Sequence, residues 1–258
     1  MHGWTTYIAI GDSFTEGLND PGPDGHYRGW ADRLAELLAA QQPDLKYANL
    51  AIRGKYLNQI LDEQFPIALA ARPDLVTFCA GGNDILRPSC DPDTVAATYE
   101  QAVMQLRAAG ADVVICTGFD TRSTPVLKHV HGRIATYNSH LWAIADRHGC
   151  KMVDLWSMQA LRDPRAFSED RLHLTAEGHR RVALRAAEVL GVPITEDWAE
   201  PWPDIPAVNW RNRRRADYQW TREHFLPWLA RHLRGRSSGD GLLPKRPELT
   251  PVSLSVHK

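Results

Sequence analysis

Asp74–Asp84 reads D-L-V-T-F-C-A-G-G-N-D. Its first part, Asp74–Ala80, is a short β-rich run with few polar residues, the pattern of a strand whose sheet is covered on both faces. Two glycines, an asparagine and an aspartate follow at once, residue types that favour a turn at the end of a strand. Similar runs lie on either side. Upstream are Trp4–Ile10 and Lys46–Ala51; downstream are Asp112–Thr117 and Met152–Leu155.

Helical patterns separate these runs. Gly29–Gln41 places Trp30, Leu34, Leu37 and Leu38 on one face. Tyr56–Ala71 is helical but must kink or restart at Pro66. Asp91 is an N-cap and Pro92 suits the first helical position; Val95, Tyr99, Ala102, Val103 and Leu106 then form an apolar stripe that ends at Gly110. Val126–His148 and Thr175–Leu190 complete the set. Five β/α repeats predict an α/β fold with a five-stranded parallel sheet, doubly wound in the flavodoxin manner.

The chain has 258 residues, near the upper limit for one hydrophobic core. Residues 1–193 are expected to form that domain. After Pro193 the composition changes: five of the nine tryptophans (Trp198, Trp202, Trp210, Trp220 and Trp228) fall in the last quarter. Residues 194–258 therefore read as a Trp-rich extension, helical around Val208–Arg234 and extended beyond Gly235. Its tryptophans can dock it on the domain or on a second subunit, making a homo-oligomer.

Composition excludes several classes. Formal net charge is −1 and 24% of residues are charged, which gives no electrostatic reason to bind nucleic acid or an anionic membrane. The run Arg211–Arg215 reads as a solvated helix face, since Asp217 and Glu223 follow it. No apolar run approaches the ~20 residues of a membrane span, and the first residues lead directly into a strand, so a cytoplasmic protein is expected. Cys79, Cys90, Cys116 and Cys150 show neither C-x-x-C pairing nor metal-ligand spacing and read as reduced thiols.

Four clusters carry chemistry, and each follows a predicted strand: Gly11-Asp12-Ser13, Gly54, Gly81-Gly82-Asn83-Asp84, and Asp170 with His173. Loops beyond the carboxyl ends of parallel strands gather at one edge, where ligands bind. A serine hydroxyl needs a base to become nucleophilic. His173 is suited to that role near neutral pH, and Asp170, three residues earlier, to hold its tautomer. The N–H groups of Ser13 and Gly54 and the amide of Asn83 can receive a tetrahedral oxyanion. Asp12 and Asp84 read as structural carboxylates that bond nearby backbone. His179 reads as a helix surface residue, while His26, Tyr27 and Arg28 are candidates for a pocket wall.

With these blocks in order, the chain resembles the SGNH hydrolases, also called the GDSL esterase/lipase family. The matching residues are G-D-S-F-T-E-G-L at Gly11–Leu18, Gly54 within N-L-A-I-R-G-K, G-G-N-D at Gly81–Asp84, and D-R-L-H at Asp170–His173. The likeness spans about residues 4–190. It implies a flavodoxin-like three-layer α/β/α sandwich, a Ser13-His173-Asp170 triad, and an oxyanion hole from Ser13, Gly54 and Asn83. Ala51 departs from the family, which often has glycine there. The expected activity is hydrolysis of small-molecule carboxylic esters through an acyl-enzyme, with no metal, nucleotide or organic cofactor. Rivals are a thioesterase or carbohydrate deacetylase on the same site, or a catalytically silent assembly protein using the extension. G-x-G-x-x-G, P-loop, H-E-x-x-H and G-x-S-x-G patterns are absent.

Overall fold

The computed structural model describes residues 3–22, 25–122, 127–204, 214–215, 218–225 and 238–253. Five strands lie parallel: β1 (Thr6–Gly11), β2 (Lys46–Asn49), β3 (Leu75–Cys79), β4 (Asp112–Cys116) and β5 (Lys151–Val153). The sheet has six strands, not five. β6 (Arg246–Pro251) adds to the free edge of β2 in antiparallel sense, giving the order β5-β4-β3-β1-β2-β6. Both Pro247 and Pro251 fall in this strand, which an edge position permits because one side needs no ladder N–H.

Helices cover both faces. On one side, α2 (Gly29–Gln41) packs on α8 (Ala176–Val189), and Trp30, Leu34, Val182 and Ala186 meet Tyr7 and Val114 of the sheet. On the other side lie α3 (Leu57–Glu63), α4 (Phe65–Ala71), α6 (Pro92–Ala108) and α7 (His131–His148), whose Ile60, Ala68, Val103 and Leu141 join Ile8, Val76 and Ile115. Two single-turn helices, α1 (Ser13–Glu16) and α5 (Gly82–Ile85), follow β1 and β3 directly. This is the three-layer sandwich.

Local chemistry sets the element ends. Asp91 caps α6 through the N–H groups of Asp93 and Thr94, and Thr175 caps α8 through Gly178. Pro66 near the start of α4 splits the Tyr56–Ala71 pattern into two helices. α7 starts at His131, after a 3₁₀ turn at Leu127–Val130, later than the pattern from Val126 predicted.

Trp198 and Trp202 pack against the core beside α8. Trp202 also donates to the Ala160 carbonyl (2.9 Å), under the guanidinium of Arg181. Most of the helical extension expected over Val208–Arg234 lies outside the described residues, as do Trp210, Trp228 and Arg211–Arg213. All four cysteines are free thiols. Among the described residues, no helix is long and apolar enough to cross a membrane.

Candidate active site

Parallel pairing puts the carboxyl ends of β1 and β3 side by side, with Gly11 opposite Cys79. The turns that follow therefore meet. Asp12 caps α1 by accepting from Phe14 N–H (3.1 Å), and its other oxygen accepts from Asn83 Nδ2 (3.2 Å). Asn83 Nδ2 also donates to the Lys55 carbonyl (3.0 Å), the residue after Gly54. Gly54 adopts a left-handed φ of 74°, a conformation open to glycine. The N–H groups of Ser13 and Gly54 have no protein acceptor among the described residues.

The loop before α8 comes to the same edge. His173 Nε2 lies 2.9 Å from Ser13 Oγ, and His173 Nδ1 lies 2.7 Å from Asp170 Oδ2. The chain Ser13–His173–Asp170 is continuous, although 160 residues separate serine from histidine. Asp170 is held on every side. Its Oδ1 accepts from the N–H groups of Leu172 (3.0 Å) and His173 (2.9 Å) and from Ser168 Oγ (2.8 Å), and its Oδ2 accepts from Asn19 Nδ2 (2.9 Å).

A family model described as the GDSL-like lipase/acylhydrolase family matches residues 9–181. The chain belongs to that family. It is an ester-hydrolysing enzyme. No curated protein matches it in sequence. Among solved structures it is similar to Axe2, an acetylxylan esterase from Geobacillus stearothermophilus: 21% identity over 76% of this chain and 96% of that one, TM-score 0.59. It is also similar to LAE5, an alpha/beta hydrolase enzyme from the metagenome of Lake Arreo in Spain: 21% identity, 73% and 95% coverage, TM-score 0.61. Both likenesses concern the fold.

The two carboxyls of the site have opposite electrostatics. Burial pushes Asp170 up, but the hydrogen bonds and charge of His173, with two backbone N–H groups, outweigh it and hold the group far below the usual carboxylate range. Asp12 is more deeply buried, has fewer donors among the described residues, and is raised to about 6. The site opens onto a cavity of about 150 Å³. Besides Ser13, Asn83 and His173, it is lined chiefly by apolar groups, among them Phe14, Leu86, Phe119, Ile134, Leu155 and Leu172. Among the described residues, no group of three or more His, Cys, Asp or Glu side chains could hold a metal ion.

His179 is not a surface residue. It is 1% exposed, accepts from Trp30 N–H at Nδ1 (3.2 Å), and lines the cavity. Its helix face looks polar in sequence, but that face is covered by the start of α2. His26, Tyr27 and Arg28 are not among the lining residues. Arg28 instead pairs with Glu36, and the Tyr27 ring lies under the Arg53 guanidinium (5.0 Å). Asp84 accepts from Leu57 N–H (2.8 Å), a structural bond of the kind expected. No local pattern marks Asn19 or Ser168, and Glu16, though it falls within the G-D-S-F-T-E-G-L block, has no role assigned from sequence. Glu16 is buried, accepts from Arg53 N–H (2.8 Å), and pairs with the Arg53 side chain.

Burial lowers the His179 pKa to about 4, against about 6.5 in an unfolded chain. The folded state thus binds fewer protons between those values. The stability His179 contributes is complete above about pH 6.5 and is lost as pH falls towards 4. Asp12, raised to about 6, acts with the opposite sign, because the unfolded state ionises first. Comparison with His179→Gln separates the two: thermal melts should show a shallower fall of Tm from pH 6.5 to 4 in the variant than in the parent. Parallel curves would rule His179 out as the source.

Proposed function

We propose that Ser13 is the nucleophile, His173 the general base and Asp170 its orienting carboxylate in hydrolysis of carboxylic esters through an acyl-enzyme. The observation that carries this reading is the unbroken hydrogen-bond chain Ser13–His173–Asp170 at the mouth of an apolar cavity. Ser13 Oγ attacks the ester carbonyl as its proton passes to His173 Nε2. The oxyanion meets the N–H groups of Ser13 and Gly54 and the Asn83 amide; the longer of that amide's two bonds, to Asp12, is the one the oxyanion would share. Collapse expels the alcohol, which takes the proton back from His173. Water then attacks the acyl-enzyme with His173 again as base, releasing acid and Ser13. Asp170 stays ionised throughout, stabilising the imidazolium.

Ser13→Ala and His173→Ala should each nearly abolish turnover of a nitrophenyl ester. Asn83→Ala should lower kcat by roughly 10²–10³, the loss typical of one oxyanion donor. Full activity in Asn83→Ala would remove Asn83 from the oxyanion hole, and failure of a fluorophosphonate to label Ser13 in the folded protein would overturn the nucleophile.

The cavity also bears on the substrate. An apolar cavity near 150 Å³ is the size that holds a benzene-sized ligand, so an acyl chain of about six carbons fits better than acetyl. The fit favours a medium-chain ester over an acetylated sugar. In a nitrophenyl ester series from two to twelve carbons, kcat/KM should peak at about four to eight. An optimum at acetate, with turnover of acetylated xylo-oligosaccharide, would favour the deacetylase reading instead; preference for an acyl-CoA would favour a thioesterase.

A further inference from the structure

We propose that the C-terminal segment, which lies beyond the family-matched residues, holds the separate pieces of the active site in register, with Lys245 positioning the Ser13 turn and Trp220 the Asp170–His173 loop; this rests on the function proposed above. The segment touches all three parts of the site. At the nucleophile turn, Lys245 Nζ donates to the carbonyls of Glu16 (2.6 Å), Tyr27 (2.7 Å) and Arg28 (2.9 Å), and it pairs with Asp32. Glu16 ends α1, which Ser13 begins. A cation at the carbonyl end of a helical turn is favourable, and here it has few alternatives, since the Lys245 side chain is only 11% exposed.

The three carbonyls flank a contact that leaves no room for adjustment. Gly17 follows Glu16 and Gly29 follows Arg28, and a Cβ on either glycine would stand 2.4 Å from the other's Cα. The turn bearing Ser13 thus packs backbone to backbone on the start of α2, with Lys245 bonded to carbonyls on both sides of the contact. Without its ammonium, those carbonyls and the Asp32 carboxylate lose a buried donor.

At the second strand loop, the tail backbone runs against Arg53, the residue before Gly54: a Cβ on Gly239 would sit 2.1 Å from the Arg53 carbonyl oxygen. At the base loop, Trp220 Nε1 donates to the Asp170 carbonyl (2.9 Å), and the Arg171 guanidinium lies over its ring (5.3 Å). Arg171, between Asp170 and His173, has φ of 55°, a left-handed conformation that a non-glycine residue keeps only when its surroundings impose it. Trp220 supplies two of those surroundings.

Strand direction makes this possible. β6 runs antiparallel to β2 and pairs Arg246 with Asn49, the last residue of β2. Its first residues therefore lie at the carboxyl edge of the sheet, where the site is. A parallel sixth strand would carry Lys245 to the opposite edge.

Lys245→Met and Trp220→Phe test the proposal in the full chain, with Arg246→Met as control. Arg246 bonds the Tyr47 carbonyl (2.9 Å) and anchors the same strand without reaching the Ser13 turn. Active sites are titrated, and kcat, KM and the rate of Ser13 modification by a fluorophosphonate are measured well below each variant's Tm. Lys245→Met and Trp220→Phe should each lower kcat and the labelling rate about tenfold, with KM within about twofold, the signature of misplaced reacting groups. Arg246→Met should lower Tm but keep kcat. Parental kcat in both Lys245→Met and Trp220→Phe, or an equal kcat loss in Arg246→Met, would overturn the positioning role. Trp220 is half-exposed, so its variant keeps the test open if Lys245→Met does not fold. An unlabelled parent would refute the nucleophile, whereas a labelled parent with equally reactive variants would refute this inference alone.

Discussion

The β1–β3 pairing, with Ile10 opposite Phe78 and Gly11 opposite Cys79, is the constraint from which the site follows. Neither turn after these strands could form a site alone. Side-chain period in a strand is two, so a slip of one residue would turn every core residue of β1 to the wrong face. Ile8 and Ile10 face one hydrophobic layer while Tyr7 and Ala9 face the other, and both layers therefore resist the slip. The burial that stabilises the sheet also sets the position of Ser13 relative to Asn83. Gln64 adds to this from the helical layer: its side-chain amide exchanges two 2.9 Å hydrogen bonds with the backbone of Gly11.

Around that pair the Ser13 turn sits in a dense polar surround. Asn49 donates to the Thr15 carbonyl (2.9 Å), Glu16 holds the second strand loop through Arg53, and Arg33 braces Asp20, which accepts from Gly29 N–H (3.1 Å). Each neutral bond contributes only about 1 kcal/mol net, while an unmet buried partner costs about 1–3 kcal/mol. Buried ion pairs add little stability because desolvation offsets their attraction. The arrangement makes most sense as specification of one geometry: any displacement of α1 leaves several polar groups without partners at once.

The strands and most helices were legible because their signals are local. Leu75–Cys79 is apolar since both faces are covered, and the Asp91-Pro92 start of α6 announces itself in two residues. The serine and asparagine blocks were legible for a related reason, since each sits directly beyond a readable strand, and the aspartate and histidine lie just before a readable helix. β6 was not. R-P-E-L-T-P has two prolines and no alternation, and its residues are mostly exposed or half-buried, so nothing in it signals a strand until the edge of β2 is there to receive it. Lys245 lies 229 residues from Glu16, and a lone lysine in a Pro- and Gly-rich tail carries no pattern. His179 was misread because helical periodicity separates apolar from polar faces, whereas burial between two helices depends on the partner helix.

Near one histidine lie a half-buried carboxyl, Asp170, and a buried one, Asp12, and the proposed triad raises the question of why Asp170 should be its orienting anion. Hydrogen-bond supply answers it. Asp170 receives two backbone N–H groups, Ser168, Asn19 and the histidine itself, enough to hold it ionised despite burial. Among the described residues, Asp12 receives only the Phe14 N–H and the Asn83 amide, and burial carries it up to about 6. Environments that separate the pKa values of two like groups assign them different work. In the proposed mechanism, an anion that never takes the proton suits the side of His173 remote from Ser13, where it would stabilise positive charge as the imidazole becomes imidazolium. A weakly held carboxylate suits Asp12, whose bond to Asn83 orients the amide and can lengthen as negative charge develops nearby. Exchanging the two environments would leave His173 beside a group able to accept its proton, and would bind the Asn83 amide to an anion too well solvated by donors to share it.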